Sequence, residues 1–136
     1  MRIFGKKRIG YVVFSLVMVM TLGGAYHTLA QEKAPEGTAL NLYGRPIGSV
    51  DESGIVFNLY GTKLGTVDSN GDIFNVSNIF IGRVDGGGNV FNQSGTRLGS
   101  VDGEGAVYNV SGRKVGSVDA GGDLIRIGGA ARVLFF

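Results

Sequence analysis

The stretch VDESGIVFNLYGTKLGT, residues 50–66, decides the fold, because it is one copy of a 17-residue unit repeated in tandem from about Leu40 to the C-terminus. Its Val-Asp pair returns without slip as Val50/Asp51, Val67/Asp68, Val84/Asp85, Val101/Asp102 and Val118/Asp119. A glycine stands three residues after each Asp, at Gly54, Gly71, Gly88, Gly105 and Gly122, and an apolar pair then leads to Asn58, Asn75, Asn92 and Asn109. The consensus is VDxxGxVFNxxGxxLGS. A fixed period of this length means that one small supersecondary unit is stacked against its own copies.

Two turn signals alternate with two strand signals inside each unit. In Asp-x-x-Gly the Asp side chain accepts a backbone hydrogen bond and the glycine takes the left-handed conformation that other residues resist. Asn-x-x-Gly repeats the device at Asn58–Gly61, Asn92–Gly95 and Asn109–Gly112; in the third unit Asn78 replaces the glycine, and Asn is the residue best able to do so. Between turns lie short segments such as Ile55, Val56, Phe57 and Lys63, Leu64, Gly65, Thr66, Val67, each long enough for a strand of about five residues. The chain reads as a ladder of small antiparallel hairpins, ten to twelve strands in all once the partial units at either end are counted.

Parity constrains the ladder further. Side chains alternate across a strand with period two, so an odd repeat reverses the facing of each unit unless one residue is absorbed. That residue goes either into a glycine bulge at the Asp-x-x-Gly turn or into a bulge at the glycine of Leu-Gly-Ser/Thr (Gly48, Gly65, Gly82, Gly99, Gly116). The core is expected from the ladder Phe57, Phe74, Phe91, Tyr108, Ile125 together with Ile47, Leu64, Ile81, Leu98, Val115, and next from Val50 and its four equivalents. Each unit offers about four apolar side chains, at roughly 1.5–3 kcal/mol apiece, against the cost of ordering 17 residues, so the units must share one core. An open sheet of that many strands would pair edge to edge with other copies; closure into a shallow barrel or ring avoids this. The expected fold is therefore all-β, a closed ring of short hairpins preceded by one N-terminal hydrophobic helix. A β-solenoid, with the Asn residues stacked as an internal ladder, is the alternative.

Over residues 40–123 the patterns VDxxGxVFN and GxxLGxVD, behind a single apolar leader, resemble the beta-flower family of bacterial proteins. The resemblance implies short hairpins set as petals about a pseudo-symmetry axis in a shallow barrel, usually four-fold, whereas the unit here is counted five times. It implies no established activity. The family's likeness to tubby-type barrels suggests association with lipid or a membrane surface.

The leader occupies residues 1–30. Arg2, Lys6, Lys7 and Arg8 precede residues 9–30, which carry no formally charged side chain. Two readings stay open: a cleaved export signal with Thr28 and Ala30 before a cut at Gln31, or an uncleaved transmembrane anchor. Both export the repeats to the periplasm, the exterior or the membrane surface. Residues 31–38 read as a linker and 39–136 as the repeat domain. The formal net charge of +2 belongs to the leader; from Gln31 onward nine basic residues face eleven acidic ones, so the charge gives no support to a nucleic-acid partner.

The sequence has no Cys, and its one His, His27, lies in the leader, which leaves the repeat domain without a Ser-His or Cys-His nucleophile and without imidazole or thiolate metal ligands. No catalytic residue, metal ligand or cofactor is assigned. Asp68, Ser69, Asn70, Gly71, Asp72 begin like a calcium loop, but glycine comes at the fourth place and no Glu follows at the twelfth. The alternative activity is a carboxylate-dependent glycan hydrolase, which needs two carboxylates in a cleft. The functional signal lies in charge geometry. Strands that run up and down put Asp51, Glu52, Asp68, Asp72, Asp85, Asp102, Glu104, Asp119 and Asp123 on one rim, and Arg45, Lys63, Arg97, Arg113, Lys114, Arg126 and Arg132 on the other. Repetition alone exposes the same position in every unit and so sorts charge. A rim of this kind would also attract anions such as phosphate or lipid headgroups, with Arg45, Lys63, Arg97, Arg113, Lys114 and Arg126 as the candidate ligand-binding residues. The expected role is a non-enzymatic exported or membrane-anchored module that binds a membrane lipid or envelope component, or assembles with its own copies.

Overall fold

Every full turn of the repeat solves the same hydrogen-bonding problem in the same way. A computed structural model of the chain describes residues 35–136 together with two short strands in the leader, β1 (Met18–Met20) and β2 (Tyr26–Thr28). At Asp51 the backbone carbonyl accepts from Gly54 N (3.0 Å), the Asp51 amide donates to Ile55 O (2.9 Å), and Oδ1 accepts from Ser53 N and Ile55 N (2.9 Å each). Gly54 takes φ +88°. This is a type I turn closed by a glycine bulge. Asn58 makes the same four bonds with Gly61, Thr62 and Tyr60. Asn78, where glycine is missing, has φ 65° and is the one non-glycine residue at positive φ among those described.

These turns join ten strands: β3 (Thr38–Asn41), β4 (Pro46–Val50), β5 (Ile55–Asn58), β6 (Lys63–Val67), β7 (Asp72–Asn75), β8 (Phe80–Val84), β9 (Asn89–Asn92), β10 (Arg97–Val101), β11 (Ala106–Asn109) and β12 (Lys114–Asp119). Each is antiparallel to its neighbours in chain order, and β12 pairs with β3, Gly116 opposite Asn41, to close the barrel. Five hairpins with Asn turns at their tips, β3–β4 to β11–β12, are joined by four Asp turns. At the seam Gly37 takes the place of the fifth turn's glycine: its N–H donates to Asp119 O, and its carbonyl accepts from Val50 N (2.8 Å) as Gly54 O does from Val67 N. The expected linker therefore ends earlier than residue 38, and the solenoid is ruled out because every neighbouring pair is an antiparallel hairpin or its equivalent.

Since both turns of a unit have the same parity, the odd residue is absorbed inside the strand. Val56 faces Gly65 and Phe57 faces Lys63, which leaves Leu64 as the extra residue; Ile47, Ile81, Leu98 and Val115 are bulged in the same register. The core differs from the expected one. Val50, Val67, Val84, Val101 and Val118 are buried as foreseen, but their partners are Val56, Ile73, Val90 and Val107, with Ala39, while Phe57, Phe74, Phe91 and Tyr108 are only half-buried. Alternation explains the exchange, since Val56 and Phe57 must face opposite sides of the barrel wall and the inward side is already occupied by a helix.

A helix fills the lumen. Instead of the N-terminal helix expected in the leader, the structure has β1 paired antiparallel with β2 there, and a helix at the other end of the chain, α1 (Leu124–Leu134). The remainder of the leader, with the signal and anchor readings, falls outside the described residues. Among those described, no helix is long and apolar enough to cross a membrane. After Asp119 the repeat breaks: Gly121 and Gly122 reverse the chain at positive φ, and Asp123 caps the helix by accepting from Ile125 N (3.1 Å) and Arg126 N (3.2 Å). Ile127, Gly128, Gly129, Ala130 and Ala131 are buried. Eleven residues rise about 16 Å, close to the span of a five-residue strand, so the helix runs the height of the wall. Ile125 therefore leaves the expected ladder and sits at the helix N-terminus near Gly71.

Two adjacent glycines would each weaken an isolated helix by about 1 kcal/mol relative to alanine. Here they are required by space, since a Cβ on Gly128 would enter the Val84 side chain and one on Gly129 the Val67 side chain. Residues 36–136 form a compact unit that contains every barrel strand, the closure and the filling helix, so this unit is expected to fold without the leader, with a cooperative unfolding transition as the check. Gly129→Ala is expected to lower its stability by about 1–3 kcal/mol, as overpacking does, against the gain that helix propensity alone would give. Denaturant unfolding of residues 36–136 checks this; a rise in midpoint would contradict the packing.

Candidate functional site: the Asn rim

The Asn turns form the outer tips of the five hairpins, and their sequences are NLYGRP (41–46), NLYGTK (58–63), NVSNIF (75–80), NQSGTR (92–97) and NVSGRK (109–114). None contains an acidic residue. Every Asp and Glu among the described residues lies instead at an Asp turn, on the strand next to it, or beside the seam, as Glu36 and Asp123 do. In all four complete Asp turns Oδ1 is engaged by two backbone amides, from Ser53 and Ile55, Asn70 and Asp72, Gly87 and Asn89, and Glu104 and Ala106. Asp85 also receives the Asn89 side-chain amide (3.1 Å), and the Asn89 backbone amide leads the hydrogen bonds that hold its carboxyl below the ordinary carboxylate value. The stretch that began like a calcium loop is one more of these turns.

The two rims differ in charge without differing in geometry. Asn41, Asn58, Asn75, Asn92 and Asn109 each accept two backbone amides through Oδ1 at 2.8–3.1 Å, just as the Asp residues do. Asp and Asn are both suited to this position. The placing of carboxylates on one rim and carboxamides on the other is therefore not a demand of the turn.

The candidate basic residues divide. Arg45, Lys63, Arg97, Arg113 and Lys114 are exposed on the Asn rim. Arg97 starts β10 at this rim but turns its guanidinium down the wall, Nε donating to Asn89 Oδ1 (3.0 Å) beside the Asp85 turn, and none of the five has a carboxylate partner among the described residues. Arg126 does not belong with them. It lies on α1 at the opposite end of the barrel, where Nε donates to Asp51 O (2.9 Å), Nη2 to Val50 O (3.3 Å), and Nη1 stands 3.8 Å from Glu36 Oε2. Arg132, placed on the basic rim by its position in the repeat, is instead on the helix with Nε donating to Ile81 O (2.9 Å), and burial pulls its pKa below the usual arginine value. Both departures have one cause, the helix that replaces the last half-unit.

The sequence reading missed the apolar part of the rim. Tyr43 and Tyr60 are 86% and 88% exposed, and Leu42, Leu59, Val76, Ile79 and Val110 are exposed beside them. These residues occupy or flank the middle of the Asn turns, where a type I turn needs only a compatible backbone. Large apolar residues at positions where Gln93 and Ser94 also serve were the available signal.

A closed ring of five hairpins with this turn spacing also fixes the comparison with known proteins. The family model for 5-fold beta-flower proteins matches residues 38–132. The chain belongs to the 5-fold beta-flower family. The petal count is thus five, correcting the four-fold form first expected, and the hairpins can be called petals one to five in chain order. No curated protein and no solved structure matches the chain.

If the turn is indifferent to charge, Asn58→Asp will leave the unfolding midpoint of residues 36–136 within about 0.5 kcal/mol of the parent, whereas Asn58→Ala, which loses both amide bonds, will cost about 1 kcal/mol or more. Equal losses for the two variants would show that the carboxamide is a structural requirement.

Proposed function

We propose that this beta-flower domain is a non-enzymatic binding module that meets an anionic surface at the cell envelope through its Asn rim. The observation that carries the reading is the sorting of Asp and Asn between turns of identical geometry, which leaves one face without an Asp or Glu side chain among the described residues and with Arg45, Lys63, Arg97, Arg113 and Lys114 exposed there. A surface of one sign raises the local concentration of oppositely charged partners and speeds encounter. Against the hydrolase reading weighs the use of the Asp carboxylates, whose Oδ1 atoms are occupied by their own turns. The leader supports export, whether cleaved or retained, because its basic cluster and apolar run are the features that direct a chain into or across a membrane.

Stacking of copies, acidic rim to basic rim, would satisfy the same charges. The two readings separate by experiment. Vesicles containing phosphatidylserine are expected to carry residues 36–136 upward in flotation at about 0.1 M salt, where the Debye length is about 10 Å, and to release them at about 1 M, where it is about 3 Å. Each basic residue near an anionic surface is worth about 1 kcal/mol, so changing Lys63, Arg97, Arg113 and Lys114 to Gln should weaken binding on the order of 100-fold or more. Salt-insensitive binding, or binding that the four-residue variant retains, would contradict the proposal, and salt-dependent oligomers without vesicle binding would favour stacking.

A further inference from the structure

We infer that the rim docks on an anionic phospholipid bilayer in a tilted pose, with petals one to three foremost, so that Leu42, Tyr43, Leu59, Tyr60 and Val76 enter the boundary between headgroups and acyl chains while Arg113 and Lys114 on petal five stay at the phosphates. The inference rests on the reading of the Asn rim as an anion-facing surface and adds the occupant and its orientation.

The rim is not uniform around the ring. Petals one, two and three are consecutive, through the pairings of β4 with β5 and β6 with β7. They present Leu42 and Tyr43, Leu59 and Tyr60, and Val76 with Ile79 and Phe80, all exposed. Petals four and five present Gln93 and Ser94, then Val110 and Ser111, at the same turn positions, and carry three of the rim's five exposed basic residues. One sector is therefore apolar and aromatic with two cations, Arg45 and Lys63, at its margin, and the adjoining sector is polar and cationic apart from Val110.

That composition matches a bilayer interface better than other partners. Tyrosine is enriched where an apolar body meets a wet headgroup layer, and an amphipathic surface binds through buried apolar area together with attraction to anionic lipid. A second copy docked rim to rim would bring together two cationic surfaces whose turns hold no Asp or Glu side chain to neutralise them. A soluble anion would use the cations but would give no reason for two tyrosines and two leucines to stand in water at the tips. The turns themselves do not need these residues, as petal four shows.

The chain contains no Trp, so a single introduced one reports its own surroundings. In residues 36–136, Tyr60→Trp probes petal two, Ser94→Trp petal four and Ser53→Trp the acidic rim. With phosphatidylcholine–phosphatidylserine vesicles, Tyr60→Trp emission is expected to shift to the blue and to be quenched by lipids brominated on the acyl chains, while Ser94→Trp and Ser53→Trp keep their aqueous emission. Salt-sensitive flotation with no quenching of Tyr60→Trp would overturn insertion and leave the electrostatic reading standing. Equal quenching at Tyr60→Trp and Ser94→Trp would overturn the tilt. No flotation at low salt, or binding only to an acidic protein, would overturn both readings.

Discussion

The structure depends on how a ten-stranded barrel, wider than its own side chains fill, packs its interior. Ten strands of four to six residues enclose a lumen lined mainly by valines, with Ile73 and Ala39, and one helix buried all round its middle at Ile127, Gly128, Gly129, Ala130 and Ala131 fits it. Neither part is self-sufficient. The valine ladders would face an empty lumen without the helix, and a helix with two central glycines is too weak to persist alone. At the far end of the helix Leu134, Phe135 and Phe136 close against Gly48, Gly116 and Gly99, where a Cβ would meet both an apolar side chain and the carbonyl of the neighbouring strand. The glycine of each Leu-Gly pair thus lets the strands approach and, at three of its five positions, also admits the helix end.

Because the inside is fixed by packing, the outside is left to vary. The strands need valine inward, the bulge needs an apolar residue and then glycine, and the turns need an Asx residue and a left-handed fourth residue. None of these demands sets the charge of a rim or the size of the two residues at the middle of a turn. Those are the places where the chain departs from uniformity: carboxylates on one rim, carboxamides on the other, and tyrosine and leucine at two tips where a fourth tip has Gln93 and Ser94. Folding instruction and surface chemistry occupy different positions of the same 17-residue unit.

Much of this was legible in the sequence. The Asp-x-x-Gly and Asn-x-x-Gly turns, the closure, the strand count and the need for one bulge per unit follow from spacing and parity, and Asn78 at positive φ was readable from its place in the repeat. The choice between the two bulge sites was not, because both satisfy parity. The aromatic ladder was misplaced because hydrophobic size suggests burial, whereas facing is set by alternation and by a lumen already occupied. The helix was missed for a related reason: the repeat extends by pattern to Ile125, and Gly128 and Gly129 argue locally against a helix. Asp123 before a run that is apolar or small at every position but Arg126 and Arg132 was the signal for it. Misplacing the helix carried Arg126 to the wrong rim and put Arg132 on the exposed rim, whereas it lies on α1 against Ile81.

The central claim is that α1 is the core of the barrel and not an appendage to it. Native-state amide hydrogen exchange of residues 36–136 tests this most directly, because it resolves the opening of each element separately. The amides of Ile127 to Ala131 should exchange only through global unfolding, with the same free energy as Val67 and Val84 on the wall. Helix amides that exchange markedly faster than those strand amides, as they would if the helix left a standing barrel, would contradict the account.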